Sequence, residues 1–97
     1  MIAPGQSGYT FDYGTITSLV PTQSGVYAIY NRQGWIYFGE GQDIRARLLA
    51  HLNGDNPCIL NHGPTGFQFE TVPANQRVAR QDALIVQLGS ACNQRLG

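Results

Sequence analysis

Five side chains stand out for the chemistry their types and spacing allow. Tyr27 and Tyr37 lie in two aromatic and β-branched runs, GVYAIYN (25–31) and WIYFGE (35–40). A phenol can act as acid, as base, or as a hydrogen-bond donor to phosphate oxygen. A tyrosine in a strand can equally pack on the sheet with one edge wet. Arg47 and His51 stand four residues apart in a segment with apolar residues at helical spacing. On a helix they are neighbours on one face. Such a pair can grip an anion or steady a developing oxyanion, or it can line a solvated edge where the arginine stem covers apolar surface. Gln81 falls among Val78, Leu84, Ile85 and Leu88, which mark the apolar face of a second helix. A buried amide needs hydrogen-bond partners. Gln81 is therefore either a satisfied core amide or a group aimed into a site beside the sheet.

The elements that must position these residues follow from pattern. Gly25–Asn31 alternates, with Val26, Ala28 and Tyr30 on one face and Tyr27 and Ile29 on the other. The turn at Arg32–Gly34 makes it a hairpin with a second strand over Trp35–Glu40. Asp43 is an N-cap, and Ile44, Leu48, Leu49 and Leu52 form one stripe of a helix that ends at Asn53-Gly54. DNPC and NHGPTG read as loops. Phe67–Val72 alternates as a third strand, and Ala74–Leu88 is a second long helix. Residues 1–22 are rich in Gly, Ser, Thr and Pro and read as an irregular segment, with one short helical turn near Thr15–Leu19. Residues 23–97 form the domain proper. The order β-β-α-β-α predicts an α+β fold, a small three-stranded antiparallel sheet flanked by helices.

Composition narrows the partners. The chain has 97 residues, a length that suits one domain. Six arginines balance six carboxylates and there is no lysine, so no broad basic field attracts nucleic acid. Any phosphate contact must come from a few local arginines. No run resembles a signal peptide or a membrane span, which predicts a cytoplasmic protein with no membrane partner. Cys58 and Cys92 are then expected to be reduced thiols, and with His51 and His62 they match no zinc-ligand spacing.

Together these residues resemble a known pattern. GVY at Gly25–Tyr27, then nine residues, then YFG at Tyr37–Gly39 resembles the signature of the GIY-YIG nucleases. In that family an arginine follows the second glycine by eight residues, as Arg47 does here, and a Tyr or His sits one turn on, as His51 does. A metal-binding glutamate precedes a Leu-Ile pair by three residues, and the matching residue is Gln81. An asparagine often follows that helix, and Asn93 fits. The resemblance covers residues 23–93 and implies hydrolysis of DNA phosphodiester bonds with one divalent ion, Mg²⁺ or Mn²⁺. It implies that Tyr27 helps activate water, that Tyr37 and His51 orient water or phosphate, and that Arg47 stabilises the pentacovalent phosphate. Arg45 and Asn93 are expected to contact substrate.

Gln81 departs from the pattern, because an amide is a much poorer Mg²⁺ ligand than a carboxylate. A slow nuclease, a nucleic-acid-binding relative without catalysis and a protein-interaction domain of the same fold all accommodate it. The chain has no room for an appended recognition domain. Specificity is then expected from a protein partner, from homo-oligomerisation or from substrate shape.

Overall fold

A computed structural model describes residues 2–93. The hairpin forms as its pattern predicts. Strand β2 (Gly25–Asn31) pairs antiparallel with β3 (Gly34–Gly41), placing Tyr27 opposite Gly39 and Ile29 opposite Tyr37. The Asn31 side chain accepts from the N–H groups of Gln33 and Gly34 and so closes the turn. A bulge between Ile29 and Tyr30 leaves Ile36 as the extra residue. Strand β4 (Gly66–Thr71) pairs antiparallel with the other side of β2, and β1 (Tyr9–Thr10) pairs with β4. The sheet therefore has four strands in the order β1-β4-β2-β3, one more than the sequence pattern predicts. A two-residue strand carries no alternation to read, which is why β1 escapes the pattern.

Residues 1–22 are likewise not irregular throughout. They hold β1 and helix α1 (Tyr13–Leu19), whose N-cap Asp12 accepts from the Thr15 N–H at 2.8 Å. Phe11, Ile16 and Val20 enter the core. Helix α2 (Ile44–Leu52) starts at Asp43, as predicted. A further helix, α3 (Pro57–Asn61), replaces the expected loop; Asn56 caps it and Pro57 opens it. Helix α4 (Arg77–Leu88) follows a 3₁₀ turn at Ala74–Gln76.

Both sheet faces are covered. Tyr27, Ile29 and Phe67 pack with Ile44 and Leu48 of α2, Ile16 of α1 and Ile59 of α3. Val26, Ala28 and Phe38 pack on the opposite face with Leu84, Ile85 and Leu88 of α4. Val78, expected on the buried face of α4, is exposed. The start of that helix is tied down by ion pairs instead: Arg77 to Glu40 at 2.8 Å and Arg80 to Glu70 at 3.0 Å. No described helix is long and apolar enough to cross a membrane.

Candidate active site

The alternation of β2 and β3 aims Tyr27 and Tyr37 at α2, and successive turns of α2 bring Arg47 and, in its last turn, His51 to them. The rings of Tyr27 and Tyr37 lie 6.2 Å apart. The His51 ring lies 5.4 Å from Tyr27 and 5.1 Å from Tyr37. Two glycines make the room. A Cβ on Gly39 would overlap the Tyr27 ring, and one on Gly41 would come within 2.7 Å of Arg47 Cγ. The glycine of the YFG triplet is thus the floor under the first tyrosine.

The polar atoms form a chain. Tyr27 Oη and His51 Nε2 are 2.6 Å apart, and His51 Nδ1 and Asp55 Oδ1 are 2.7 Å apart. An ionised carboxylate can only accept, so Nδ1 carries the imidazole proton and Nε2 accepts from the phenol. The other Asp55 oxygen lies 3.5 Å from Arg47. Asp55 lies one helical turn after His51, a spacing visible in the sequence, but in a stretch that reads as a loop. It sits beyond the end of α2, where Gly54 turns the chain back with φ of 91°.

Burial tunes these groups. Tyr27 is fully buried and its pKa is raised, first by loss of solvation and then by Tyr37, with the Arg47 guanidinium opposing. Burial also raises Tyr37. His51 is 1% exposed, and burial holds it below 6.5 despite the pull of Asp55. It is therefore a neutral imidazole at neutral pH. Burial alone would lower Arg47, but Tyr27, Asp55 and Tyr37 together raise it.

The remaining sequence candidates lie elsewhere. Arg45 donates through Nε to the Val20 carbonyl at 2.6 Å, which ties α2 to the end of α1. The Asn93 side chain brackets Phe38, accepting from its N–H at 2.6 Å and donating to its carbonyl at 2.8 Å. Both residues are thus engaged with backbone rather than turned outward. Gln81 is half-buried on α4, the helix that covers the face opposite Tyr27 and Tyr37. Arg77, one turn before Gln81, pairs with Glu40, which shares the α4 face of the sheet with Phe38.

At the Gln81 position the side chain does not fit a hard divalent cation. Mg²⁺ takes anionic oxygens. Glu40 and Glu70 are paired with arginines, Asp55 is committed to His51 and Arg47, and Asp12 and Asp43 cap helices. Gln81 offers a neutral amide. The cysteines depart from expectation: Cys58 and Cys92 are joined as a disulfide. Their positions are 34 residues apart, and only the tertiary fold brings them together.

An antiparallel sheet with helices on both faces and a tyrosine pair beneath the first long helix defines the class of the molecule, an α+β domain with the GIY-YIG nuclease fold. The GIY-YIG N-terminal endonuclease domain of UvrC from Thermotoga maritima, bound to its catalytic magnesium, superposes with a TM-score of 0.71 at 22% identity, over 81% of this chain and 96% of that one. A point mutant of the same domain, bound to its catalytic divalent cation, matches with a TM-score of 0.71 at 23% identity, over 82% and 96%. No family model and no curated protein matches the sequence.

Proposed function

We propose that the chain is a GIY-YIG-type endonuclease domain that hydrolyses DNA phosphodiester bonds in the cytoplasm, with its activity held low by Gln81. The carrying observation is the hydrogen-bonded chain Tyr27–His51–Asp55, set on the fold of a nuclease domain. It is a base assembly. As an attacking water loses a proton to the Tyr27 oxygen, the phenol passes its own proton to His51 Nε2, and Asp55 steadies the imidazolium. Tyr27 has no solvent exposure, whereas the Arg47 side chain is 43% exposed and its pair with Asp55 is loose. Such a pair contributes about 0–1 kcal/mol, so Arg47 can leave Asp55 for a phosphate at little cost and open the way to the phenol. On the phosphate it offsets the charge of the pentacovalent state. Tyr37, half-buried beside both rings, orients the water or phosphate.

The reading implies one divalent ion, Mg²⁺ or Mn²⁺, at the Gln81 position, where this chain supplies no charge. The same amide favours a second reading, a nucleic-acid-binding or protein-interaction domain that has lost catalysis. Specificity comes from a protein partner or a second copy of the chain. The deciding experiment is plasmid nicking by the chain and by Gln81→Glu with Mg²⁺, with Mn²⁺ and with chelator. Metal-dependent nicking by either form supports the nuclease; two folded, inactive forms leave the binding domain. For DNA binding itself, Arg47→Ala should weaken a weak, salt-sensitive association.

A further inference from the structure

Away from the tyrosines, the fold gathers three soft metal ligands from distant parts of the chain. Cys58 lies in the first turn of α3, His62 caps its end one turn later, and Cys92 follows α4. The three ligand atoms all lie within 4.8 Å of one another. His62 Nδ1 is 3.8 Å from Cys58 Sγ and 3.6 Å from Cys92 Sγ. A disulfide alone has no need of an imidazole at both of its sulfurs. A tetrahedral zinc does: zinc–sulfur and zinc–nitrogen bonds of about 2.3 and 2.05 Å separate each sulfur from the nitrogen by about 3.6 Å.

The backbone that carries these ligands is fixed by other bonds. Asn56 and Pro57 start α3, and Ile59 anchors it in the core. The Asn31 amide donates to the His62 carbonyl at 2.6 Å. The Cys92 N–H donates to the Ile36 carbonyl at 2.8 Å. The sulfurs alone must move, to about 3.8 Å apart around a tetrahedral ion.

We propose that Cys58, His62 and Cys92 form a zinc site that the disulfide closes and reduction opens. A dithiol reductant gives two electrons and two protons to the disulfide and becomes a disulfide itself; Cys58 and Cys92 become thiols. Zinc binding then releases both thiol protons. His62 Nδ1, 2.9 Å from the Cys58 carbonyl, gives up that hydrogen bond and coordinates as the Nε2–H tautomer. Two thiolates and an imidazole select a soft or borderline ion such as Zn²⁺ over Mg²⁺. His62 is exposed, so the fourth position takes water. In a reducing compartment, where such pairs are kept as thiols, the zinc form would be the resting one. The proposal stands apart from the nuclease reading and shares no residue with it.

The test is a cobalt titration of the full chain, reduced with a phosphine and freed of it anaerobically. The expected result is one Co²⁺ per chain, with thiolate charge-transfer and tetrahedral visible bands, displaced by Zn²⁺. The oxidised chain should give none of these. Cys92→Ser should abolish the bands. His62→Ala, a surface change that leaves the core intact, should weaken binding at least ~10-fold, the lower end of what even an outer partner of a metal ligand contributes. Far-ultraviolet circular dichroism reports the fold throughout, and folding that appears only on adding metal counts in favour. No stoichiometric cobalt in the reduced chain, equal binding by the oxidised chain, or equal binding by His62→Ala would each overturn the site.

Discussion

The hydroxyl of Tyr27 meets Nε2 of His51 at 2.6 Å, and the bond has a direction because Asp55 holds the opposite ring nitrogen at 2.7 Å. The imidazole must present its lone pair to the phenol. A buried phenol with nothing but burial around it would be inert. With a neutral imidazole behind it, it can lose its proton without ever becoming a free phenolate, and this reconciles a raised tyrosine pKa with the proposed role as base.

The phenols can be counted by titration. Tyr27 and Tyr37 are both pushed above 10.0, and the more deeply buried Tyr27 should ionise last. An ultraviolet titration of the five tyrosines should show a late fraction beyond the ordinary range. Tyr27→Phe should shrink that fraction and, by leaving a buried acceptor on His51, destabilise the fold by about 1–3 kcal/mol. Five phenols titrating together near their usual value would contradict the geometry.

His51 gives the stability a slope on the acid side. Its folded pKa lies below 6.5, so the unfolded chain takes up this proton first as pH falls. The stability it contributes is whole above pH 6.5 and declines as pH drops toward the folded value. Melts between neutrality and about pH 5 should show this loss, and His51→Gln should flatten it. Asp55→Asn removes the charge that favours imidazolium and should steepen it. Parallel curves for all three proteins would rule the histidine out as their cause.

On the proposed nuclease reading, Gln81 is the residue on which activity should turn. Gln81→Glu should raise divalent-metal-dependent plasmid nicking by ~10²-fold or more, because a charged oxygen offsets the cost of partly dehydrating the ion. The metal-free melting temperature should stay close to that of the parent. A carboxylate that lands in an enclosed position would reveal itself by a raised pKa.

Asn93 should prove structural before it proves functional. Asn93→Ala strips both of its bonds from the Phe38 backbone and should cost about 1–3 kcal/mol by denaturant unfolding. An unchanged unfolding midpoint with weakened DNA binding would return Asn93 to the substrate contacts.

The hairpin, α2 and β4 were legible because each carries a strong local signal: alternation, an aspartate cap, a glycine stop. The Tyr27–Tyr37–Arg47–His51 grouping is legible only through the resemblance to the GIY-YIG pattern, since strand and helix periods set each side chain's face but not which faces meet. Helix α3 is hidden because Asn56-Pro57 has the composition of a loop, although asparagine then proline also starts a helix. Asp55 was hidden in the turn after α2, and the Cys58–Cys92 pairing depends on where α4 ends. Gln81 illustrates the limit of spacing: its interval to Leu84-Ile85 matches a pattern, while the face of the sheet that α4 covers is a tertiary fact.

The residues after α4 have one more consequence. Strand β3 is an outer strand, yet its Trp35 and Ile36 carbonyls accept from Ala91 and Cys92 at 3.2 and 2.8 Å, and Phe38 is taken by Asn93. At the far side of the sheet, β1 is only two residues long. The backbone groups that invite an intruding strand are thus occupied along the β3 margin, whereas β1 covers only Gly66 and Phe67 of β4. Closure against strand addition is one-sided, and it falls on the strand that carries Tyr37.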